Sequence, residues 1–271
     1  VKLAPVRIEF CKTKSGSTIE ERLLRRLKLK HRESFHRNMP LELSFIKQIK
    51  NFVKDRKTLF FPPLTPVYPK ALSFSGSFTS LIEKVKEKDV LLSYPFDNIN
   101  SFIYLLNEAA ISPRVCSIKI TLYREAHHSK IVEALMTAAE NGKDVTALVE
   151  LRARFDEDHN ISVSKRLEEA GVHVIYGLED YKVHSKLLLI TLREEDEKDE
   201  ITESYITQVG TGNYNEVTSR LYTDLSYITA RTEFAKDAKK VFKALEKGKL
   251  LKEADTLMVA PLCLKTKLLE L

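Results

Sequence analysis

The chain has 271 residues, 43% of them apolar, with 8 Gly and 3 Cys, a composition that excludes a collagen, a disordered tail and a disulfide-stapled mini-protein. The formal charge of +6 is unevenly spread: residues up to Lys70 carry 17 basic and 6 acidic side chains, and the remainder carry 27 and 32. That asymmetry predicts two units, a basic one in front and a slightly acidic one behind it.

The front segment opens with a strand-like run, Val6 to Phe10. Ser17 then precedes a helical pattern that puts Ile19, Leu23, Leu24 and Leu27 on one face, and a second helix fits Leu41 to Val53. Three prolines within Phe60 to Pro66 break all regularity and mark a linker. From about Lys70 strands and helices alternate. Val90 to Ser93 is extended. Asp97 or Asn98 can cap a helix with Phe102, Ile103, Leu106 and Ala110 inward, ended by Pro113. Cys116 to Tyr123 is a strand. Ser129 caps a helix burying Ile131, Val132, Leu135 and Ala139, with Gly142 at its end. Strand Asp144 to Leu151, helix Ile161 to Ala170 and strand Val172 to Tyr176 follow, then β-like runs at Ser185 to Leu192, Ser204 to Val209 and Leu225 to Ala230. A last helix, Glu233 to Leu245, packs Phe234, Ala238, Val241 and Phe242. The charged stretch Arg193 to Glu203 reads as a solvated hairpin tip. Such alternation predicts an α/β sandwich with a central mixed sheet, parallel where helical crossovers intervene.

Cys11, Cys116 and Cys263 are odd in number, far apart and without CxxC or Cys/His spacing, which argues against a structural zinc site or disulfide framework and fits a reducing cytoplasm. No apolar run approaches the roughly 18 residues of a transmembrane helix, and the start lacks the pattern of a secretion signal. The chain opens at Val1 and closes on a helix just beginning at Leu264 to Leu271, so a fragment of a longer polypeptide is expected.

In an α/β sheet, function gathers on the loops at the strand ends. Four junctions hold unusual residues: Tyr123-Arg124-Glu125; Arg152-Ala153-Arg154-Phe155-Asp156; Lys182-Val183-His184-Ser185-Lys186; and Gly210-Thr211-Gly212-Asn213-Tyr214-Asn215 with Arg220 to Asp224. A strand's period of two would point His184 and Lys186 to one face. Taken singly each feature has a plainer reading: HxK as an exposed strand start, the arginines as surface ion-pair partners, Tyr222 as a packing tyrosine. His173 reads as structural, and His127 and His128 as loop residues rather than metal ligands.

HxK followed by Gly-Thr-x-Asn resembles the half-site of the phospholipase D superfamily, in which His is the phosphoryl-accepting nucleophile and Lys and Asn hold phosphate oxygens. The superfamily's usual Asp after HxK is replaced here by Thr191, and Asp224 is the substitute expected to orient the imidazole. Five blocks in order carry a closer resemblance: Lys119 to Arg124, Val149 to Glu157, Leu167 to Gly177, His184 to Lys186, and Gly210 to Asp224. Over nearly the whole chain the sequence resembles the bacterial polyphosphate kinase family, which shares the phospholipase-D-like fold.

That resemblance implies a phosphohistidine nucleophile at His184, a nucleotide-binding tyrosine at Tyr222, and two arginines near magnesium and phosphates at Arg124 and Arg154. A guanidinium has only donors and cannot ligate a cation, so both arginines are assigned to phosphate oxygens beside Mg²⁺, whose direct protein ligands stay open. Lys186, Asn213 and Asp224 complete the expected site. Implied partners are ATP, ADP and inorganic polyphosphate rather than nucleic acid, with a homo-oligomer as the full-length enzyme. The implied domains are the end of a smaller α+β head domain over 1–70, the first phospholipase-D-like catalytic domain over 71–256, and the start of a second over 257–271. A second HxK with its Asn motif is missing from the sequence, so the fragment is expected to be inactive alone. A phospholipase-D-like phosphodiesterase and a non-catalytic polyanion-binding module remain as alternatives.

Overall fold

The computed structural model describes residues 5–11, 17–72, 80–126, 128–151, 157–195 and 200–271. The chain divides into two compact units, Val1–Pro63 and Leu64–Leu271, with the division inside the proline-rich stretch. Residues beyond the division join the second unit before residue 71: Val67 N–H donates to Phe96 O at 2.8 Å, and Asn98 N–H to Val67 O at 2.8 Å.

In the first unit, β1 (Ile8–Cys11) pairs in parallel with β2 (Ser34–Arg37), placing Ile8 opposite Ser34, and α1 (Ser17–Leu27) forms the crossover between them. β2 is not foreseen by the sequence because four residues are too few to display alternation. Among the described residues of α1 only Leu24 is buried, and Ile19, expected on the same face, is 69% exposed. α2 (Ile46–Phe52) is shorter than the pattern suggests and buries no residue.

The second unit is α/β. An unforeseen helix, α3 (Leu81–Glu87), starts at Ser80, whose Oγ accepts the Glu83 N–H at 3.2 Å, and it buries Leu81, Ile82 and Val85. In chain order follow β3 (Val90–Tyr94), α4 (Asn100–Ile111), β4 (Val115–Leu122), α5 (Lys130–Glu140), β5 (Asp144–Val149), α6 (Glu157–Glu169), β6 (His173–Tyr176), β7 (Leu187–Glu195), β8 (Ile201–Gly210), β9 (Asp224–Thr229), α7 (Thr232–Glu246) and α8 (Leu264–Glu270). They build a seven-stranded sheet in the order β3-β9-β8-β7-β4-β5-β6. β4, β5 and β6 are parallel, joined by α5 and α6, whereas β7, β8, β9 and β3 run antiparallel to their neighbours.

Both faces of the sheet are covered, and β7 shows how. Leu188, Ile190 and Leu192 belong to the large core shared with α3, α4, α5 and α6, while Leu187 and Leu189 pack with Ala235, Ala238, Val241 and Phe242 of α7. No described helix is long and apolar enough to cross a membrane.

Of the two cap candidates for α4, Asn98 makes the capping bond: Ile99 already has helical backbone angles (φ −58°, ψ −22°), and Asn98 Oδ1 accepts the Asn100 N–H at 3.0 Å, while Asp97 Oδ2 accepts from Ser93 N at 2.7 Å. Two local expectations are corrected. The charged hairpin is regular strand over most of its length, with Arg193 opposite Glu203 and Glu194 opposite Thr202. Glu194 is no solvated tip: Lys86 Nζ lies at 2.5 Å and Arg114 at 3.6 Å. β7 begins at Leu187, so His184 and Lys186 precede the strand rather than open it.

Candidate active site

The sheet's mixed direction decides where the motifs meet. β7 and β9 run against β4 and β8, so the amino ends of β7 and β9 adjoin the carboxyl ends of β4, β5 and β8. The stretch before Leu187 therefore lies beside the loops after Leu122 and Gly210, at one end of the sheet.

Three neighbours hold its backbone. Thr121, 2% exposed, donates its hydroxyl to Ser185 O at 2.8 Å and accepts the Leu187 N–H at 3.1 Å. The Gly210 N–H donates to Lys186 O at 3.0 Å. The buried Glu150 accepts the Val183 N–H at Oε2, 2.8 Å. A segment without its own ladder thus keeps a fixed course.

His184 and Lys186 converge, as expected, though outside the strand whose period of two was the reason for expecting it. Lys186 Nζ lies 3.1 Å from His184 Nδ1 and donates to His184 O at 2.5 Å. The Tyr123 ring meets the imidazole edge-on with centroids 4.6 Å apart, and it has Lys186 Nζ at 5.2 Å and the Arg124 guanidinium carbon at 5.5 Å from its own centroid. Tyr123 is thereby the aromatic hub of the cluster.

Electrostatics follow from this crowding. Partial burial, then the positive charges of Lys186, Arg124 and Lys182, hold the His184 imidazole below its ordinary 6.5, so it is neutral at neutral pH. Lys186 is 5% exposed, and burial pulls its ammonium down to about 8 against the opposing pull of Asp224 and Glu125.

The glycine loop supplies the other wall. Asp224 Oδ1 accepts the Thr211 hydroxyl at 2.8 Å, and a Cβ built on Gly212 would stand 2.6 Å from the Asp224 carboxyl, so only glycine admits that approach. Among the described hydrogen bonds none joins Asp224 to His184. Asp224 acts on Lys186 instead, and Lys186 occupies the Nδ1 side of the imidazole. Thr191 sits within β7, opposite Ser117 and Tyr205. Asn213 Oδ1 is buried and without a hydrogen-bond partner in the described structure. Tyr222 is 59% exposed, on the turn between Thr218–Arg220 and β9, with its N–H on Thr218 O at 3.0 Å. Arg154 and the junction 152–156 lie outside the described residues, as does His127.

Among the described residues no group of three His, Cys, Asp or Glu could hold a metal ion. Magnesium that travels with substrate phosphates needs only one or two protein oxygens. The buried, unpartnered Asn213 Oδ1 and the Asp224 carboxylate, at the two ends of the stretch between β8 and β9, fit that modest requirement.

Sequence reasoning named Tyr123 and Asn215 within its motif junctions without giving either a role, and it passed over Thr121, Glu150 and Asn160. Asn160, fully buried, donates from Nδ2 to Tyr123 O at 3.0 Å and to Glu150 O at 2.9 Å. Asn215 donates to Arg124 O at 3.1 Å. Tyr123, Thr121, Glu150 and Asn215 lie within recognisable blocks, so proximity in sequence was a usable signal; Asn160 carried none.

Comparison with known proteins agrees with this geometry. The family described as Polyphosphate kinase C-terminal domain 1 matches residues 80–250. Polyphosphate kinases of Pseudomonas aeruginosa and Bacillus anthracis are 39% and 37% identical over 267 and 269 residues, 98% and 99% of this chain. The crystal structure of polyphosphate kinase from Porphyromonas gingivalis is similar with a TM-score of 0.67 at 34% identity, over 79% of this chain and 34% of that one. The chain spans 37% of the length of these two curated relatives. With more than half of its residues matched to that family and a catalytic-type cluster at the sheet end the motifs select, this chain belongs to the polyphosphate kinase family.

Proposed function

We propose that the second unit is one catalytic half of an ATP:polyphosphate phosphotransferase that works through a phosphohistidine at His184. The observation that carries this reading is the convergence on His184 of Lys186, 3.1 Å from Nδ1, and of the Tyr123 ring that meets the imidazole edge-on with the Arg124 guanidinium beside it. Cations gather polyanions, and the same cations keep the nucleophile unprotonated.

The chemistry asks for positioning and charge neutralisation more than for bond-specific catalysis. His184 Nε2 attacks the terminal phosphorus of ATP. An N–P bond forms, the bridging P–O bond breaks, and ADP leaves. The terminal oxygen of a polyphosphate chain then attacks that phosphorus, the N–P bond breaks and neutral His184 returns. Charge balances without net proton uptake, and the sequence is reversible. An Nε2 lone pair requires the ring proton on Nδ1, beside Lys186. Once substrate phosphate engages the Lys186 ammonium, that ammonium no longer donates to Nδ1.

Arg124 and Arg154 hold phosphate oxygens by charge-assisted bonds, Asn213 assists them, and the exposed Tyr222 ring offers a face for the base. Asn213 and Asp224 would hold a Mg²⁺ bound with the nucleotide, which would supply further neutralisation of phosphate charge. The front unit is assigned to the end of a head domain and residues 257–271 to the start of a second catalytic domain. The relatives' greater length supports activity residing in a longer polypeptide, which we assign to a homo-oligomer on the family resemblance, and the three free thiols suit a cytoplasmic setting.

The test is incubation of the full-length polypeptide with ATP labelled at the γ-phosphate. Acid-labile phosphate mapping to His184, absent from His184→Ala together with polyphosphate synthesis, is the expected result. Normal turnover by the variant would overturn the assignment, and ATP-independent phosphodiester cleavage by the wild type would favour the phosphodiesterase alternative. The separate 271-residue chain should fold and make no polyphosphate.

A further inference from the structure

β4 ends at Leu122, whose carbonyl still accepts the Glu150 N–H at 3.1 Å. The next two carbonyls have left the ladder, yet both are held by side-chain amides. Asn160 of α6 takes Tyr123 O at 3.0 Å, and Asn215 of the glycine loop takes Arg124 O at 3.1 Å. The two asparagines are 0% and 8% exposed. Asn215 is itself rigid: its Oδ1 accepts the N–H groups of Val217 at 2.9 Å and Thr218 at 3.0 Å, closing the turn that follows. Its donor and acceptor ends therefore do different things. The acceptor shapes its own loop, and the donor reaches across to the backbone that carries Arg124.

We infer that Asn215 is a positioning residue for Arg124, fixing the Tyr123-Arg124 dipeptide against His184 through the Arg124 carbonyl while Asn160 fixes the preceding one. The inference rests on the phosphotransfer reading above. Side chains aimed at a transferring phosphoryl group lose most of their effect when displaced by an ångström, and residues 123 and 124 lie beyond the sheet that would otherwise hold them. The amide also couples the two walls of the site, because the loop carrying Asn213 and the residue carrying the guanidinium share one hydrogen bond.

Asn215→Asp separates the two ends. It keeps the acceptor for Val217 and Thr218, and it replaces the donor facing Arg124 O with an oxygen. In the full-length polypeptide, the expected result is a fall of about 10- to 100-fold in the rate of phosphohistidine formation, measured well below the unfolding temperature of each variant. Asn215→Ser, which also retains an acceptor for the turn and loses the reach, should show the same fall if the aspartate variant fails to fold. In an Arg124→Ala background either substitution should add little, since its effect runs through Arg124. Wild-type rates in Asn215→Asp or Asn215→Ser, or losses that multiply with that of Arg124→Ala, would overturn the inference. Absence of phosphohistidine in the wild type would instead overturn the phosphotransfer reading itself.

Discussion

The ammonium of Lys186 lies 3.1 Å from Nδ1 of His184 and 2.5 Å from the carbonyl oxygen of the same residue, in a position only 5% exposed. A buried cation next to a neutral imidazole is unfavourable for the isolated fold and useful for binding phosphate, so stability and activity are expected to respond to it in opposite directions.

Lys186→Met tests this. Burial lowers the lysine from its ordinary 10.5 to about 8, so at pH 7 the charged form costs the folded state roughly 3 kcal/mol at most. The unfolded chain binds more protons between those two values, and wild-type stability therefore rises with pH from about 8 toward 10.5. The variant lacks that rise. Urea unfolding at pH 7 should find Lys186→Met at least as stable as wild type, with the balance moving toward wild type at pH 10, while phosphoenzyme formation is lost. Parallel pH profiles for the two proteins would show that the lysine is not desolvated.

The His184 imidazole sits below 6.5 through burial first and the charges of Lys186, Arg124 and Lys182 after it. Phosphoenzyme formation should stay on its plateau at neutral pH and fall only below 6.5, where the ring takes a proton. Lys182→Gln removes the weakest of these three cations and should move that acid limb upward, toward 6.5. A limb that stays put would remove Lys182 from the electrostatics of the site.

Thr121 is the clamp on the backbone between the two motif residues. Thr121→Val keeps shape and leaves Leu187 N–H and Ser185 O without their hydroxyl partner, which should cost about 1 to 3 kcal/mol. Denaturant unfolding measures it, and Thr121→Ser should recover most of the loss. A change below about 0.5 kcal/mol would place the hydroxyl among neutral surface substitutions.

Gly212→Ala drives a methyl into the Asp224 carboxyl at 2.6 Å, and Asp224 is short and already tied to Thr211. Overpacking of this kind costs about 1 to 3 kcal/mol, and the shift of Asp224 should slow turnover with it. Gly142→Ala is the control: it meets no atom within 4 Å but has φ +77°, so it should lose about 1 to 2 kcal/mol without touching activity. Equal effects of the two on turnover would mean that the Gly212 loop is not part of the site.

The sequence by itself determined the α/β class, most of the second unit's elements to within a few residues, and the identity of His184, Lys186, Arg124, Asn213, Asp224 and Tyr222 as residues worth following. Periodicity and turn chemistry are local signals, and the motifs are short. Where local signals were weak it fell short: β2 is four residues long, and α3 announced itself only through Ser80 and Glu83. Its choice of Asp224 as the imidazole's partner presupposed a distance that spacing does not encode. Among the described hydrogen bonds Asp224 meets Thr211 and not His184, and which loops share the sheet end is decided by tertiary structure, since it depends on which strands are neighbours and which way they run. The antiparallel placement of β7 between β4 and β8 brings Thr121 to the backbone between His184 and Lys186 and Tyr123 to the edge of the ring, whereas the Lys186–His184 contact is local to one segment. Asn160 and Asn215 are 55 positions apart and converge on successive carbonyls only after α6 and the glycine loop have packed at the same end of the sheet.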